Sequence, residues 1–141
     1  MSLHSISTAG LRTIREITKL HDLYFHHNQN GLAITNELLA SSMPGARVVD
    51  EKGNFIGFIS EFDVLSTLET GRDISQLTAE EIMVKDHIAI SISSTISDAV
   101  KLMKEKHLLV LPVEQDGRVI GCLTRKDLLR AWIGLGLGQK V

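Results

Sequence analysis

The chain has 141 residues, of which 43% are hydrophobic and 23% charged, and its formal net charge at pH 7 is −2. This length suffices for one compact domain or for two half-sized units that share a core. The weak net charge excludes a general attraction to nucleic acid or an anionic membrane, and no apolar run approaches the roughly 20 residues of a membrane span. A single cysteine excludes an internal disulfide, so we expect a soluble, cytoplasmic protein.

The first half of the chain predicts two helices and three strands. DLYF at 22–25 is a weak strand, and LAITNELLASS at 32–42 is a helix that ends before Pro44 and Gly45. The strand ARVVD then enters the acidic, glycine-containing turn EKGN, and FIGFIS follows as a further strand before a second helix. The predicted order is therefore β-α-β-β-α.

The second half predicts the same order. TGRDISQ at 70–76 is a linker, and Thr78 and Glu81 form the pattern of a capping box for a short helix. HIAISI at 87–92 alternates as a strand, and the segment 94–107 has the apolar period of a helix. The strand LLVLPV, the turn EQDGR, the strand VIGCLT and a last helix follow, and the chain ends in a predicted flexible tail at 134–141.

The two halves are an internal repeat. FIGFISEFDVL at 55–65 matches VIGCLTRKDLL at 119–129, with Gly57 and Gly121 separated by 64 positions, whereas the upstream segments align only after a slip of a residue or two. We therefore expect an α/β (α+β) fold of two β-α-β-β-α repeats. The predicted boundaries are 1–70 for the first repeat, 71–79 for the linker and 80–133 for the second. Since a small three-stranded sheet cannot bury both faces alone, the repeats should pack sheet to sheet with pseudo-twofold symmetry.

A hydroxyl and a carboxylate follow the last strand of each half, as Ser60 with Asp63 and as Thr124 with Asp127. Each pair lies where a helix begins and exposes unpaired backbone N–H groups. Amides and a hydroxyl suit a phosphate, and the carboxylate suits ribose hydroxyls. The same pattern is an ordinary helix cap that contributes about 1 kcal/mol without a ligand. Its occurrence twice, in register, favours a ligand site.

The second half resembles a CBS domain, the small repeat named after cystathionine β-synthase. The resemblance lies in an IM segment, an LPV strand, a DG turn and a G-x-x-T-x-x-D ending, and the similarity to a tandem pair extends from about residue 10 to 133. The first copy departs from the family pattern, because it has ARVVD where a proline is common and EITKLHDLYFHHNQN lacks the IM segment.

The resemblance implies a function as well as a fold. Such pairs are non-catalytic regulatory modules that bind adenosine-containing ligands, such as AMP, ADP, ATP or S-adenosylmethionine, in the cleft between the repeats. They commonly form homodimers. The resemblance thus implies a ligand sensor that signals to a separate effector protein, with no catalytic residues and no required cofactor.

The resemblance also assigns roles to residues. Thr124 contacts the phosphate, Asp127 contacts the ribose, and the base is lined by Ile88, Val110, Leu111, Pro112 and Cys122. In the first copy the corresponding residues are Ser60, Asp63, Phe58 and Val48. Arg125 follows Thr124 whereas Glu61 follows Ser60, and a cation near a phosphate contributes about 1.5 to 3 kcal/mol. We therefore expect nucleotide to prefer the pocket that carries Thr124.

Other functions have weaker support. His21, His26 and His27 are candidates for a metal site, but no cysteine or spaced carboxylate completes a recognised ligand set, so we predict none. Cys122 fits a buried thiol better than a nucleophile. The main alternative is a structural or dimerisation scaffold without a ligand, in which both Ser/Thr-x-x-Asp patterns only cap helices. Trp132 and its apolar neighbours could then cover a dimer seam.

Overall fold

The structure is a computed structural model that describes residues 9 to 138. These residues form five α-helices and two three-stranded sheets, which confirms the predicted mixed α/β fold. The chain divides into two compact units. The first unit is Leu23–His87, and the second unit combines the described parts of Met1–Asp22 and Ile88–Val141.

The first unit contains one sheet and three helices. In chain order they are β1 (Tyr24–His26), α1 (Gly31–Ser41), β2 (Gly45–Val49), β3 (Phe55–Ser60), α2 (Glu61–Glu69) and the short α3 (Ala79–Ile82). β2 lies at the centre of the sheet, parallel to β1 and antiparallel to β3. The helices cover the sheet face that carries Phe25, Val48 and Ile59, and these three side chains are fully buried.

The second unit repeats this arrangement. Its elements are β4 (Ile90–Ser91), α4 (Ile96–Lys106), β5 (Val110–Gln115), β6 (Arg118–Thr124) and α5 (Arg125–Trp132). β5 is parallel to β4 and antiparallel to β6. Two short 3-10 helices, Ala9–Leu11 and Ile14–Glu16, precede the first unit in sequence but pack in the second, where Ile14 is 1% exposed.

Helix ends follow the local sequence signals. Thr78 and Glu81 form the predicted capping box of α3. The side chain of Asn30 caps α1 by accepting from the Leu32 N–H at 2.9 Å. α4 ends at His107, whose φ of 54° is in the left-handed region. Gly53 and Gly117 have φ of 82° and 78° in the two hairpin turns, a conformation that favours glycine.

The strand register locates the slip between the repeats. Gly57 pairs with Val48, and Gly121 pairs with Val113. The glycines are 64 positions apart, as predicted, but the two valines are 65 apart. The difference arises in the hairpin turn, because Val49 pairs with Phe55 whereas Glu114 pairs with Val119. The first turn is therefore one residue longer.

The compact units do not coincide with the sequence repeats. The sequence predicted a first repeat at 1–70, whereas the first compact unit is Leu23–His87. The segment around His21 pairs with β6 of the second unit, through hydrogen bonds of 2.9 and 2.8 Å with the backbone of Cys122. In the first unit Val84 pairs with Phe58 of β3 in the same way. Part of the predicted tail is also anchored, since Gly138 donates to the Glu16 carbonyl at 2.6 Å; residues 139–141 lie outside the described residues.

Candidate functional site

Thr124 and Asp127 form a closed hydrogen-bonded pair where β6 ends and α5 begins. The Thr124 N–H donates to Asp127 Oδ2 at 2.7 Å, and the Thr124 hydroxyl donates to the same oxygen at 2.9 Å. The Asp127 N–H in turn donates to Thr124 Oγ1 at 3.3 Å. Within residues 9–138, the hydrogen bonds to this carboxylate end on Oδ2, which leaves Oδ1 for a further donor.

Ser60 and Asp63 repeat this geometry between β3 and α2. The Ser60 N–H and hydroxyl donate to Asp63 Oδ2 at 2.7 and 2.9 Å, and the Asp63 N–H donates to Ser60 Oγ at 3.1 Å. The two halves thus place the same chemical groups at the same strand-to-helix junction. Both pairs are capping boxes, so the hydrogen bonds fit the scaffold alternative as well as a ligand site.

The capping box of α4 provides a comparison for Asp127. Thr95 and Asp98 cap α4, with the Thr95 N–H donating to Asp98 Oδ2 at 3.1 Å. Asp98 is exposed, and hydrogen bonds from the Thr95 backbone and side chain, with a smaller effect of Lys101, hold the pKa of Asp98 below its ordinary value. The Asp127 side chain is only 10% exposed. Asp127 therefore differs from Asp98 in its burial and in its contact with His21, and not in its role as a helix cap.

His21 lies directly against Asp127. Its Nε2 is 2.9 Å from Asp127 Oδ2, and its side chain is 40% exposed. Sequence reasoning considered His21 only as a metal ligand, because His21 and Asp127 lie in opposite halves of the chain and no spacing rule connects them. The contact arises from the backbone pairing of His21 with Cys122.

Gly121 allows this close approach. A Cβ at position 121 would lie 2.6 Å from the Leu20 Cβ and 3.0 Å from the His21 carbonyl oxygen. Gly57 has the same role in the first unit, where a Cβ would lie 2.8 Å from the Val84 carbonyl oxygen. The repeated glycine that the sequence displayed is therefore a contact position for a short segment that pairs with each sheet.

A cavity of about 350 Å³ adjoins Asp127 within the second unit. Its lining includes His21, Asp22 and the cationic side chains of Lys19 and Arg130. This volume lies at the lower end of the range of small-molecule sites, which is about 300 to 1,000 Å³. The lining combines the carboxylates of Asp22 and Asp127 with two cationic side chains but does not include Thr124. Acceptors and cations together suit a ligand with both hydroxyl and phosphate groups.

The predicted base-lining residues of the second unit fall on two faces of the sheet. Cys122 pairs with Pro112, and Thr124 pairs with Val110, so these four side chains share one face. Leu111 points to the opposite face and belongs to the hydrophobic core. Ile88 packs at the margin of this core, and Arg125 is exposed at the first position of α5. The sheet face next to Thr124 therefore carries Val110, Pro112 and Cys122, all three of them buried, and not Leu111.

In the first unit, register corrects one of the predicted correspondences. Val48 was predicted to line the base in the first unit, but its side chain is fully buried in the core of this unit. Arg47 pairs with Phe58 as Pro112 pairs with Cys122, because the strands β2 and β5 are 65 positions apart. A shift of one residue moves a side chain to the other face. Arg47 is 7% exposed, and its guanidinium carbon lies 5.1 Å from the centre of the Tyr24 ring.

The histidines considered as metal ligands and the thiol of Cys122 do not form a metal site or a catalytic site within residues 9–138. His27 lies between Glu51 and Glu80, with its Nε2 3.1 Å from Glu51 Oε2. In the described part of the chain, no group of three or more histidine, cysteine or acidic side chains is placed to hold a metal ion. Cys122 is 1% exposed. None of the helices within 9–138 is long and apolar enough to cross a membrane.

Comparisons with known proteins agree with this architecture. Residues 79–134 match the family model described as the CBS domain. An uncharacterized protein of Methanopyrus kandleri is 34% identical over 85 residues, which cover 59% of this chain and 43% of that protein. The chain spans between 25% and 43% of the length of the first three curated relatives it matches.

Two solved structures share the fold. The structure of CBSX2, an Arabidopsis thaliana protein, in complex with AMP has a TM-score of 0.74 and 21% identity, and covers 86% of this chain and 96% of its own. The CBS domain pair of protein MJ0100, in complex with 5′-methylthioadenosine and S-adenosylmethionine, has a TM-score of 0.75 and 24% identity over the same shares. Residues 79–134 thus match the CBS domain, and the chain shares its fold with these two structures.

Proposed function

We propose that the chain is a non-catalytic regulatory module that binds an adenosine-containing ligand through Thr124 and Asp127. AMP, ADP, ATP and S-adenosylmethionine are the candidate ligands. The observation that carries this proposal is the repeated hydroxyl–carboxylate pair, together with the low exposure of Asp127 beside a cavity. AMP in CBSX2 and S-adenosylmethionine in the MJ0100 pair support the choice of ligand class.

The side chains around Asp127 suggest a division of roles. Asp127 Oδ1 accepts from a ribose hydroxyl, while Thr124 and the first-turn N–H groups of α5 bind the phosphate. The Thr124 hydroxyl donates to Asp127, so it must rotate before it can donate to a phosphate oxygen. Val110, Pro112 and Cys122 lie on the same sheet face as Thr124 but are buried, so contact with adenine requires the groups that cover this face to move. Ile88 and Arg125 remain candidates for the base and the phosphate, respectively.

The first unit is the weaker site in this proposal. Ser60 and Asp63 have the required groups, but Glu61 occupies the position where the second unit has Arg125. An anion at this position repels a phosphate. Arg47 and Phe58 also replace the smaller Pro112 and Cys122 on the corresponding sheet face. Nucleotide is therefore expected to prefer the pair Thr124 and Asp127.

The proposed module is a cytoplasmic homodimer that signals to a separate effector protein. Ligand binding changes the balance between two conformations only through its different affinity for each of them. The effector then responds to the conformation that the ligand favours. No catalytic residue, metal or required cofactor enters this proposal.

A thermal-shift screen tests the ligand. A compound that binds only the folded chain, at 100 times its dissociation constant, adds about 2.7 kcal/mol to the free energy of unfolding. We expect at least one adenine nucleotide or S-adenosylmethionine to raise the melting temperature, and Asp127→Ala or Asp127→Asn to remove most of this increase.

Asp98→Ala is the matched control, because it removes the carboxylate of a capping box that is exposed and lies at another helix. This variant should bind as the wild type does. If none of the compounds stabilises the wild type, the scaffold without a ligand is the better description. Normal binding by folded Asp127→Asn would refute the assignment of the ribose contact.

A further inference from the structure

His21 supplies a third donor to one oxygen of Asp127. Oδ2 of Asp127 already accepts from the N–H and the hydroxyl of Thr124, at 2.7 and 2.9 Å, and Nε2 of His21 lies 2.9 Å from the same oxygen. A ring nitrogen this close to a carboxylate oxygen carries a proton and donates a hydrogen bond, whether the imidazole is neutral or charged. A carboxylate oxygen has two lone pairs, so Oδ2 has no free acceptor position.

The backbone holds His21 in this place. His21 exchanges two hydrogen bonds with the backbone of Cys122, at 2.9 and 2.8 Å. Gly121 permits this approach, because a Cβ there would lie 3.0 Å from the His21 carbonyl oxygen. The imidazole also lines the cavity of about 350 Å³ that adjoins Asp127. A ligand that reaches this carboxylate from the cavity therefore meets His21 as well.

The first unit lacks this third donor. Val84 pairs with Phe58 of β3 as His21 pairs with β6, so Val84 is the register equivalent of His21. The side chain of Val84 has no N–H group, and in the described part of the chain Asp63 Oδ2 accepts only from the N–H and the hydroxyl of Ser60. The histidine is thus not part of the repeated helix cap, and a valine at the same register position leaves the cap intact.

We propose that His21 is a specificity-determining residue, which restricts Asp127 to one ribose hydroxyl. This inference rests on the proposed ribose contact of Asp127. A carboxylate can accept two neighbouring donors side by side, one on each oxygen, and the vicinal hydroxyls of ribose are such a pair. Because His21 fills the position at Oδ2, only Oδ1 remains for the ligand. The ligand class thereby widens to adenine nucleotides that lack one of the two sugar hydroxyls.

The test is isothermal titration of the full chain with AMP, 2′-deoxy-AMP and 3′-deoxy-AMP. For the wild type, we expect one deoxy compound to bind within about threefold of AMP and the other at least about tenfold more weakly, as for the loss of a hydrogen bond to a charged group. For His21→Val, both deoxy compounds should bind at least about tenfold more weakly than AMP, since Oδ2 then accepts the second hydroxyl. Valine is chosen because the first unit carries Val84 at this register position.

His21→Gln separates the hydrogen-bond donor from the ring. The glutamine amide keeps an N–H donor for Oδ2, so this variant should retain the wild-type preference among the three compounds. Val84→Ala is the matched control, because it changes the register-equivalent side chain in the first unit and should bind all three compounds as the wild type does. Circular dichroism checks that each variant is folded. A merely structural role of His21 would weaken the binding of all three compounds alike.

The outcomes separate the role of His21 from the ribose contact itself. If the wild type loses affinity equally for both deoxy compounds, or if His21→Val keeps the wild-type preference, the role of His21 is overturned and the ribose contact of Asp127 stands. Equal binding of all three compounds by the wild type would overturn both. If AMP binds neither the wild type nor His21→Val, the role of His21 is overturned, while the thermal-shift screen still decides the ligand.

Discussion

At the residue scale, the absence of a side chain at Gly121 determines what can approach β6. The glycine lets residues 20 and 21 pair with the strand, and this pairing brings His21 to Asp127. The amino-acid sequence shows that a glycine recurs at 57 and 121, but it cannot show which distant segment the glycine admits. The His21 contact therefore became visible only in the folded chain.

Gly121→Ala is predicted to destabilise the chain by about 1 to 3 kcal/mol, the usual cost of overpacking a tight contact. The added Cβ would collide with the Leu20 Cβ at 2.6 Å, and the nearby His21 carbonyl oxygen belongs to backbone that cannot rotate away. Urea unfolding measures the effect. Gly138→Ala is the control, since a Cβ there would meet its nearest neighbour at an ordinary 3.6 Å. Equal stability of the two variants would contradict the close approach.

At the element scale, the sequence signals succeed where they are local. The capping pattern predicted the start of α3 from Thr78 and Glu81, and turn glycines marked both hairpins. The 3-10 helix Ile14–Glu16 has the same box in Thr13 and Glu16, and comparison of TIREI with TAEEI could have revealed it. The equivalence of the two halves is also local, because positions after the hairpin turn correspond at a spacing of 64 and positions before it at 65, so that Arg47 and not Val48 is equivalent to Pro112.

The cap of α4 leads to a prediction for acid stability. The Thr95 hydrogen bonds lower the pKa of Asp98 in the folded chain, so its carboxylate stabilises the fold above the unfolded value of about 3.9, and this contribution disappears as the pH falls through the lower folded pKa. Asp98→Asn should therefore be less stable than the wild type near neutral pH, and the difference should shrink in acid. Thermal unfolding at both pH values measures it, and a difference independent of pH would contradict the argument.

At the scale of the whole molecule, composition and repetition predicted the fold class, whereas the membership of the compact units required long-range contacts. Ile14 and Leu20 lie within the predicted first repeat, 1–70, but pack in the core of the second unit. Hydrophobic periodicity shows that such residues are buried and does not show against which sheet. The repeat likewise predicted two equivalent hydroxyl–carboxylate pairs, but the groups around them differ.

The difference between the two pairs predicts the stoichiometry of binding. Isothermal titration with the stabilising nucleotide should give one strong site per chain, because Arg125 attracts the phosphate near Thr124 whereas Glu61 repels it near Ser60. Asp127→Asn should remove the strong site, and the matched variant Asp63→Asn should retain it. Raising the salt concentration should weaken the strong site, since exposed charges are screened. Two sites of equal affinity, or a loss of the strong site in Asp63→Asn, would mean that the charges after the two hydroxyls do not determine where the ligand binds.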